Sequence, residues 1–223
     1  MHVRYSYLKQ QFSNCDDLWK KLKKFVVTGD FTLGKELAIF EKNFAKLIGT
    51  KYAIGVNSGT DALKLSLKSI GIKPGDEIIT AANTFVATIG AITELGAKPV
   101  FVDCDDTFCM NVDQVQKKIN KKTKAIVITH LYGMPCEINK IKKICRDKKI
   151  LLIEDCAQAL GAKYFGKKVG TFGDMSIFSF HAQKNMSTIG AGGALVINNK
   201  KYQKQADGLR KNGHRPYKNK KHY

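Results

Sequence analysis

Apolar positions fall into two patterns along the chain. Short unbroken runs recur: KYAIGV (51–56), EIITA (77–81), PVFVD (99–103), KAIVITHLYG (124–133), ILLIEDCA (150–157), DMSIFSFH (174–181) and GGALVIN (192–198). Between most of them lie stretches whose apolar residues keep helical spacing, such as DALKLSLKSIG, ANTFVATIGAITELG, VDQVQKKIN and CEINKIKKICRDK. Continuous apolar strands alternating with helices predict an α/β fold: a mostly parallel seven-stranded sheet covered by helices on both faces. The last two runs are joined too briefly for an ordinary crossover helix, so one strand is expected to run antiparallel. The first 50 residues read as a turn region, TGDFTLG, and an amphipathic helix, KELAIFEKNFAKLIG. The expected division is an N-terminal segment, 1–30, and one large α/β domain, 31–223.

Composition narrows the class. The 223 residues are 43% hydrophobic, which supports a packed core and argues against disorder. No apolar segment approaches the ~20 residues of a membrane helix, and no early stretch pairs a basic region with an apolar run as a signal peptide does. A cytoplasmic protein is expected. The six cysteines form no CxxC pair, which fits free thiols better than a zinc site or a disulfide framework. Lys+Arg total 38 against 19 Asp+Glu, a net charge of +19. Such a balance raises nucleic-acid binding. The lysines are scattered over predicted helix faces and turns, and no groove-reading motif accompanies them, so a solvated surface is expected and no nucleic-acid partner. The ending NGHRPYKNKKHY is the most basic segment.

In open α/β sheets ligands bind beyond the carboxyl ends of the strands, so the residues just after each strand carry the functional reading. After the first run stands NSGTDAL (57–63). A helix starting here would offer free N–H groups to a phosphate, with Gly59 allowing close approach and Thr60 beside it; a plain Ser/Thr cap is the bland alternative. After the second run comes Phe85, either stacked on a planar ring or filling the core. Asp155 closes the apolar run ILLIED, where a carboxylate needs a cationic or hydrogen-bond-donating partner. No His or acid cluster accompanies it, so no metal is expected. After the sixth run come Ser179, His181 and Lys184. Ser179 suits a phosphate, His181 suits ordering of the loop, and Lys184 is either a solvated loop residue or a reactive amine. Pyridoxal phosphate would use the whole set: a lysine for its Schiff base, an acid on its pyridine nitrogen, donors for its phosphate and a flat side chain over its ring.

The chain resembles the sugar-nucleotide aminotransferases of the DegT/DnrJ/StrS type, within the fold-type I pyridoxal-phosphate enzymes. The resemblance rests on GVNSGTDAL, PGDEIITAANTFVAT, GAKPVFVD, HLYG, LLIEDCAQALGA, GTFGDMSIFSFH and KNMSTIGAGGALV in one order. It implies a three-layer α/β/α large domain that binds pyridoxal 5′-phosphate. Lys184 matches the lysine that carries the cofactor, and Asp155 the acid on the ring nitrogen. Gln158 matches the glutamine near the ring and its 3-hydroxyl. Gly59, Thr60 and Ser179 match the phosphate contacts, and Phe85 the stacked aromatic. Ala191 stands where the family often has an acid. The family's small C-terminal domain is expected to be absent from this chain.

The implied activity is transfer of an amino group from glutamate or glutamine to a nucleotide-linked keto sugar, in a homodimer serving cell-surface polysaccharide synthesis. Two competing readings follow from the same resemblance. A pyridoxal-dependent sugar dehydratase would carry His in place of Lys184. An inactive or regulatory fragment is the other.

Overall fold

The computed structural model describes residues 7–213; most of the basic C-terminal segment lies outside them. In chain order the elements are α1 (Leu8–Gln11), α2 (Asp16–Val26), α3 (Lys35–Ile48), β1 (Tyr52–Val56), α4 (Gly59–Ser69), β2 (Glu77–Ala81), α5 (Val86–Thr93), β3 (Lys98–Val102), α6 (Val112–Lys118), β4 (Thr123–Thr129), α7 (Ile138–Lys148), β5 (Leu151–Asp155), β6 (Lys163–Tyr164), β7 (Lys167–Lys168), β8 (Met175–Ser179), β9 (Gly193–Ile197) and α8 (Lys200–Arg210).

Seven strands form one sheet in the order β1-β9-β8-β5-β4-β2-β3, and β6 and β7 make a separate small hairpin. β9 runs antiparallel to both neighbours, and the other sheet pairings are parallel. The antiparallel exception therefore falls on the last strand, which follows β8 through a loop and not through a crossover helix.

Two apolar layers flank the sheet, because both faces of its central strands are buried. In β4, Ile126 and Ile128 join one layer, with Phe44, Val115, Ile138 and Ile141 from α3, α6 and α7. Ala125 and Val127 join the other, with Ala62, Leu67, Ile92 and Ala206 from α4, α5 and α8. Phe44 meets Phe178 and Phe180 edge-on, with 5.2 Å between ring centroids in each case. This cluster anchors α3 beside the strand that leads into the lysine loop.

Local chemistry starts and stops the helices. Ser58 Oγ caps α4 by accepting from Asp61 N at 3.0 Å. Asn111 and Asn199 cap α6 and α8 in the same way. α3 ends at Gly49, whose φ of 94° is the left-handed conformation glycine adopts freely.

Three departures from the sequence reading have physical causes. The fourth strand stops at Thr129, because residues 131–134 turn back with Tyr132 and Gly133 both at positive φ. α2 lies within the N-terminal segment and has no buried residue, so its apolar positions found no core to mark them. α8 closes the second helical layer through buried Ala206 and partly buried Tyr202. No helix among the described residues is long and apolar enough to cross a membrane.

Candidate functional site

The carboxyl ends of β1, β2, β4, β5 and β8 and the amino end of β9 meet at one edge of the sheet, and the predicted residues gather there. At β1 the chain turns into α4. Its cap occupies the N–H of Asp61, leaving those of Gly59 and Thr60 without an acceptor among the described residues. Gly59 lies against β8: a Cβ there would sit 2.9 Å from Ser179 Cβ. Gly193 of β9 passes still closer, its Cβ position only 2.3 Å from the Ser58 carbonyl. Ser179 Oγ accepts from His181 N at 3.4 Å, which leaves its proton available. The result is a turn bare of side chains, backed by a hydroxyl, at the positive end of a helix. Such a turn is able to take an anion.

Asp155 occupies the middle of the edge. It is 3% exposed. Its Oδ1 accepts from Ala157 N at 3.0 Å and its Oδ2 from Thr88 Oγ1 at 3.1 Å. Burial pushes its carboxyl above the ordinary range, against the lowering by Ala157, Thr88, His130 and Lys184. No cation forms an ion pair with it among the described residues. A buried carboxylate with two neutral donors and no ion pair suits a ligand that brings its own N–H⁺.

Lys184 lies in the loop between β8 and β9. A turn closes it through Lys184 N donating to His181 O at 2.8 Å. The His181 ring accepts from Gln183 N, so this histidine does order the loop. Lys184 Nζ stands 5.8 Å from the centroid of the Phe85 ring. Phe85 is 58% exposed, which rules out core filling and leaves its face open over the site. Gln158 Oε1 accepts from Tyr132 N at 2.8 Å, so its Nε2 remains free to donate. All seven predicted residues thus line one edge.

Several partners carried no sequence signal. Thr88 reaches Asp155 from α5, and a hydroxyl relay joins it through Thr84 to Thr129. Behind Asp155, Glu154 points to the opposite face. It accepts from the N–H groups of Gly170, Phe172 and Gly173, from Ser176 Oγ and from His130 Nε2. Burial raises its carboxyl, but His130 and the N–H groups of Gly173 and Gly170 outweigh that and leave it lowered. His130, Glu154 and Cys156 lie close enough to suggest a metal site. The hydrogen bonds argue otherwise: His130 Nδ1 accepts from Cys136 N while Nε2 faces Glu154. Both ring nitrogens are used, and the cluster ties the 170–173 turn to the sheet. The six cysteines are free thiols. Two recesses, of about 350 and 850 Å³, lie elsewhere and contain neither Lys184 nor Asp155.

The family described as DegT/DnrJ/EryC1/StrS aminotransferases matches residues 14–223. A UDP-N-acetyl-3-dehydro-alpha-D-glucosamine 3-aminotransferase from Acidithiobacillus ferrooxidans is 40% identical over 89% of this chain and 54% of its own length. The crystal structure of S. venezuelae DesV in complex with a ketimine intermediate superposes with a TM-score of 0.92 at 34% identity, over 97% of this chain and 59% of that one. NtdA from Bacillus subtilis, with bound cofactor PMP, gives 0.86 at 32% identity, over 92% and 47%. The chain spans about half the length of the curated relatives it matches.

Proposed function

Because this chain belongs to the DegT/DnrJ/EryC1/StrS aminotransferase family, we propose that it forms the cofactor-binding part of a pyridoxal-phosphate-dependent aminotransferase. The amino group would move from glutamate or glutamine to a keto sugar nucleotide. The observation that carries this reading is the convergence of Lys184, the open face of Phe85 and the buried, cation-poor Asp155 on the edge that also holds the Gly59 cradle. Residues 31–223 would be the large domain.

Pyridoxal phosphate, when bound, supplies an electron sink that acidifies the C–H bond beside a substrate amine. The free N–H groups of Gly59 and Thr60 and the Ser179 hydroxyl would hold its phosphate. Phe85 would lie against its ring. Asp155 would accept from the ring N–H and, by its charge, favour the protonated nitrogen. Gln158 Nε2 would be the donor toward the ring's 3-oxygen, since its Oε1 already accepts from Tyr132 N. Lys184 Nζ would be the amine that holds the cofactor. Its free amine would serve as general base toward the proton on the donor α-carbon and, once protonated, as the general acid that gives that proton back. Lys184 also argues against the dehydratase reading, which calls for His there.

A cytoplasmic homodimer is the proposed setting. The apolar side of α2, with Leu18, Trp19, Leu22 and Val26 all exposed, supports contact with a second copy. The test of function is to add pyridoxal phosphate, then glutamate or glutamine, and follow conversion of bound cofactor to its amine form with release of the keto acid. Conversion by one donor supports the reading. Cofactor bound at Lys184 but inert to both donors would remove the aminotransferase assignment from this chain.

A further inference from the structure

Two aromatic residues in the loops that follow β3 and β4 hold a backbone conformation that bulky side chains avoid. Tyr132 has φ 52° and Phe108 has φ 62°. Both sit where turns ordinarily take Asn or Gly. Met134 N donates to Leu131 O at 2.9 Å, closing a turn whose two central residues, Tyr132 and Gly133, are both at positive φ. Asn-Gly is the usual pair in that arrangement. In the loop after β3, Phe108 N donates to Asp105 O and Asp105 N to Cys109 O. Phe108 then fills the left-handed position that glycine usually fills. A non-glycine residue held there is strained, and such strain concentrates at ligand clamps.

Packing does not account for either ring. Tyr132 is 83% exposed and Phe108 is 63% exposed. Phe165 provides the contrast: it also has positive φ and is exposed, but its ring packs edge-on against Tyr164 at 4.7 Å. Neither Phe108 nor Tyr132 makes a ring–ring contact among the described residues. Both loops are instead tied to the site and to one another. Asn83 Nδ2, two residues before Phe85, donates to Phe108 O at 3.2 Å. Cys109 Sγ donates to Met134 O at 3.3 Å, and Tyr132 N donates to Gln158.

We propose that Phe108 and Tyr132 form an aromatic rim beside the cofactor edge, on which the base of the nucleotide-linked substrate stacks. The inference rests on the aminotransferase reading and names the part of the acceptor that this rim would recognise. Aromatic rings take the π-face of any base and are worth most when fixed before the ligand arrives. The strained turns fix them.

The experiment uses the 223-residue chain with Phe108→Asn and Tyr132→Asn. Asparagine tolerates the left-handed conformation, so each variant removes the ring while easing the backbone. Binding of UDP, GDP and UDP-N-acetylglucosamine is measured by calorimetry, beside melting temperature, sedimentation and pyridoxal-phosphate uptake. The expected result is nucleoside diphosphate binding about tenfold weaker in each variant, with melting temperature unchanged or raised and cofactor uptake intact. Undiminished binding in both variants would overturn the proposal. So would loss confined to UDP-N-acetylglucosamine, which would place the pyranose on the rim, or a changed oligomeric state, which would make the rim a contact between copies. Wild-type protein that takes up cofactor but binds none of the three probes would also overturn it, while leaving the aminotransferase reading standing; failure of that reading would show instead as absent cofactor uptake.

Discussion

Asp155→Asn separates the cost of the site from its use. The side chain is buried, holds two hydrogen bonds from neutral donors and has no ion-pair partner among the described residues. Asparagine is nearly isosteric. Its carbonyl can still accept from Ala157 N, and its NH₂ can donate to Thr88 Oγ1 once that hydroxyl turns. Both hydrogen bonds survive while the buried charge disappears. An imperfectly compensated buried charge costs at least as much as an unsatisfied polar group, roughly 1–3 kcal/mol. The existing bonds offset part of that, so a gain of about 1–2 kcal/mol is expected for the cofactor-free chain. At this size that is about 2–8 °C in melting temperature, read by calorimetry without pyridoxal phosphate at neutral pH. The same variant should bind the cofactor more weakly, because a neutral amide cannot hold the ring nitrogen protonated. A lowered melting temperature would show that the carboxylate is well compensated within the fold. Unchanged cofactor affinity would remove Asp155 from the ring nitrogen.

Gly193→Ala would place a methyl 2.3 Å from the Ser58 carbonyl and 2.7 Å from Gly59 N. Relieving that overlap should cost roughly 1–3 kcal/mol in urea denaturation and weaken cofactor phosphate binding together; a variant as stable as wild type would mean that β9 has room to shift. Glu154 has a folded pKa below its ordinary value of 4.5. Its contribution to stability is therefore complete above 4.5 and is lost as pH falls through the lower folded value. Glu154→Gln should cost roughly 3 kcal/mol at pH 7, since one amide cannot accept from all the donors around it, and should flatten the acid limb of the stability profile; an unaltered acid limb would assign that limb to other groups.

The strands were legible because each is a nearly unbroken apolar run, and the sheet buries both faces of its centre. The candidate residues were legible for a related reason: polar residues ending such runs stand out, as Asp155 does after ILLIE. What escaped depends on pairing across the sheet. Thr129 lies opposite Asp155 and Ile128 opposite Glu154 in the β4–β5 register, yet they are more than 20 positions apart in the chain. Nothing local marks Thr88, His130 or Glu154 as partners. Phe85 shows the same limit, since stacking and core filling look alike in one sequence and only its exposure separates them. α2 was passed over because its lysines, KKLKK, read as a solvated surface, and none of the apolar residues on its other side is buried.

Lys184 is the amine proposed to hold the cofactor. The most direct test is to incubate the purified chain with pyridoxal phosphate, record the visible absorbance, reduce with borohydride and map the modified lysine by mass spectrometry. The expected result is an absorbance band, a reduced cofactor adduct on Lys184, and neither in Lys184→Ala. A band with its adduct on another lysine, or no adduct at Lys184 at saturating cofactor, would contradict it.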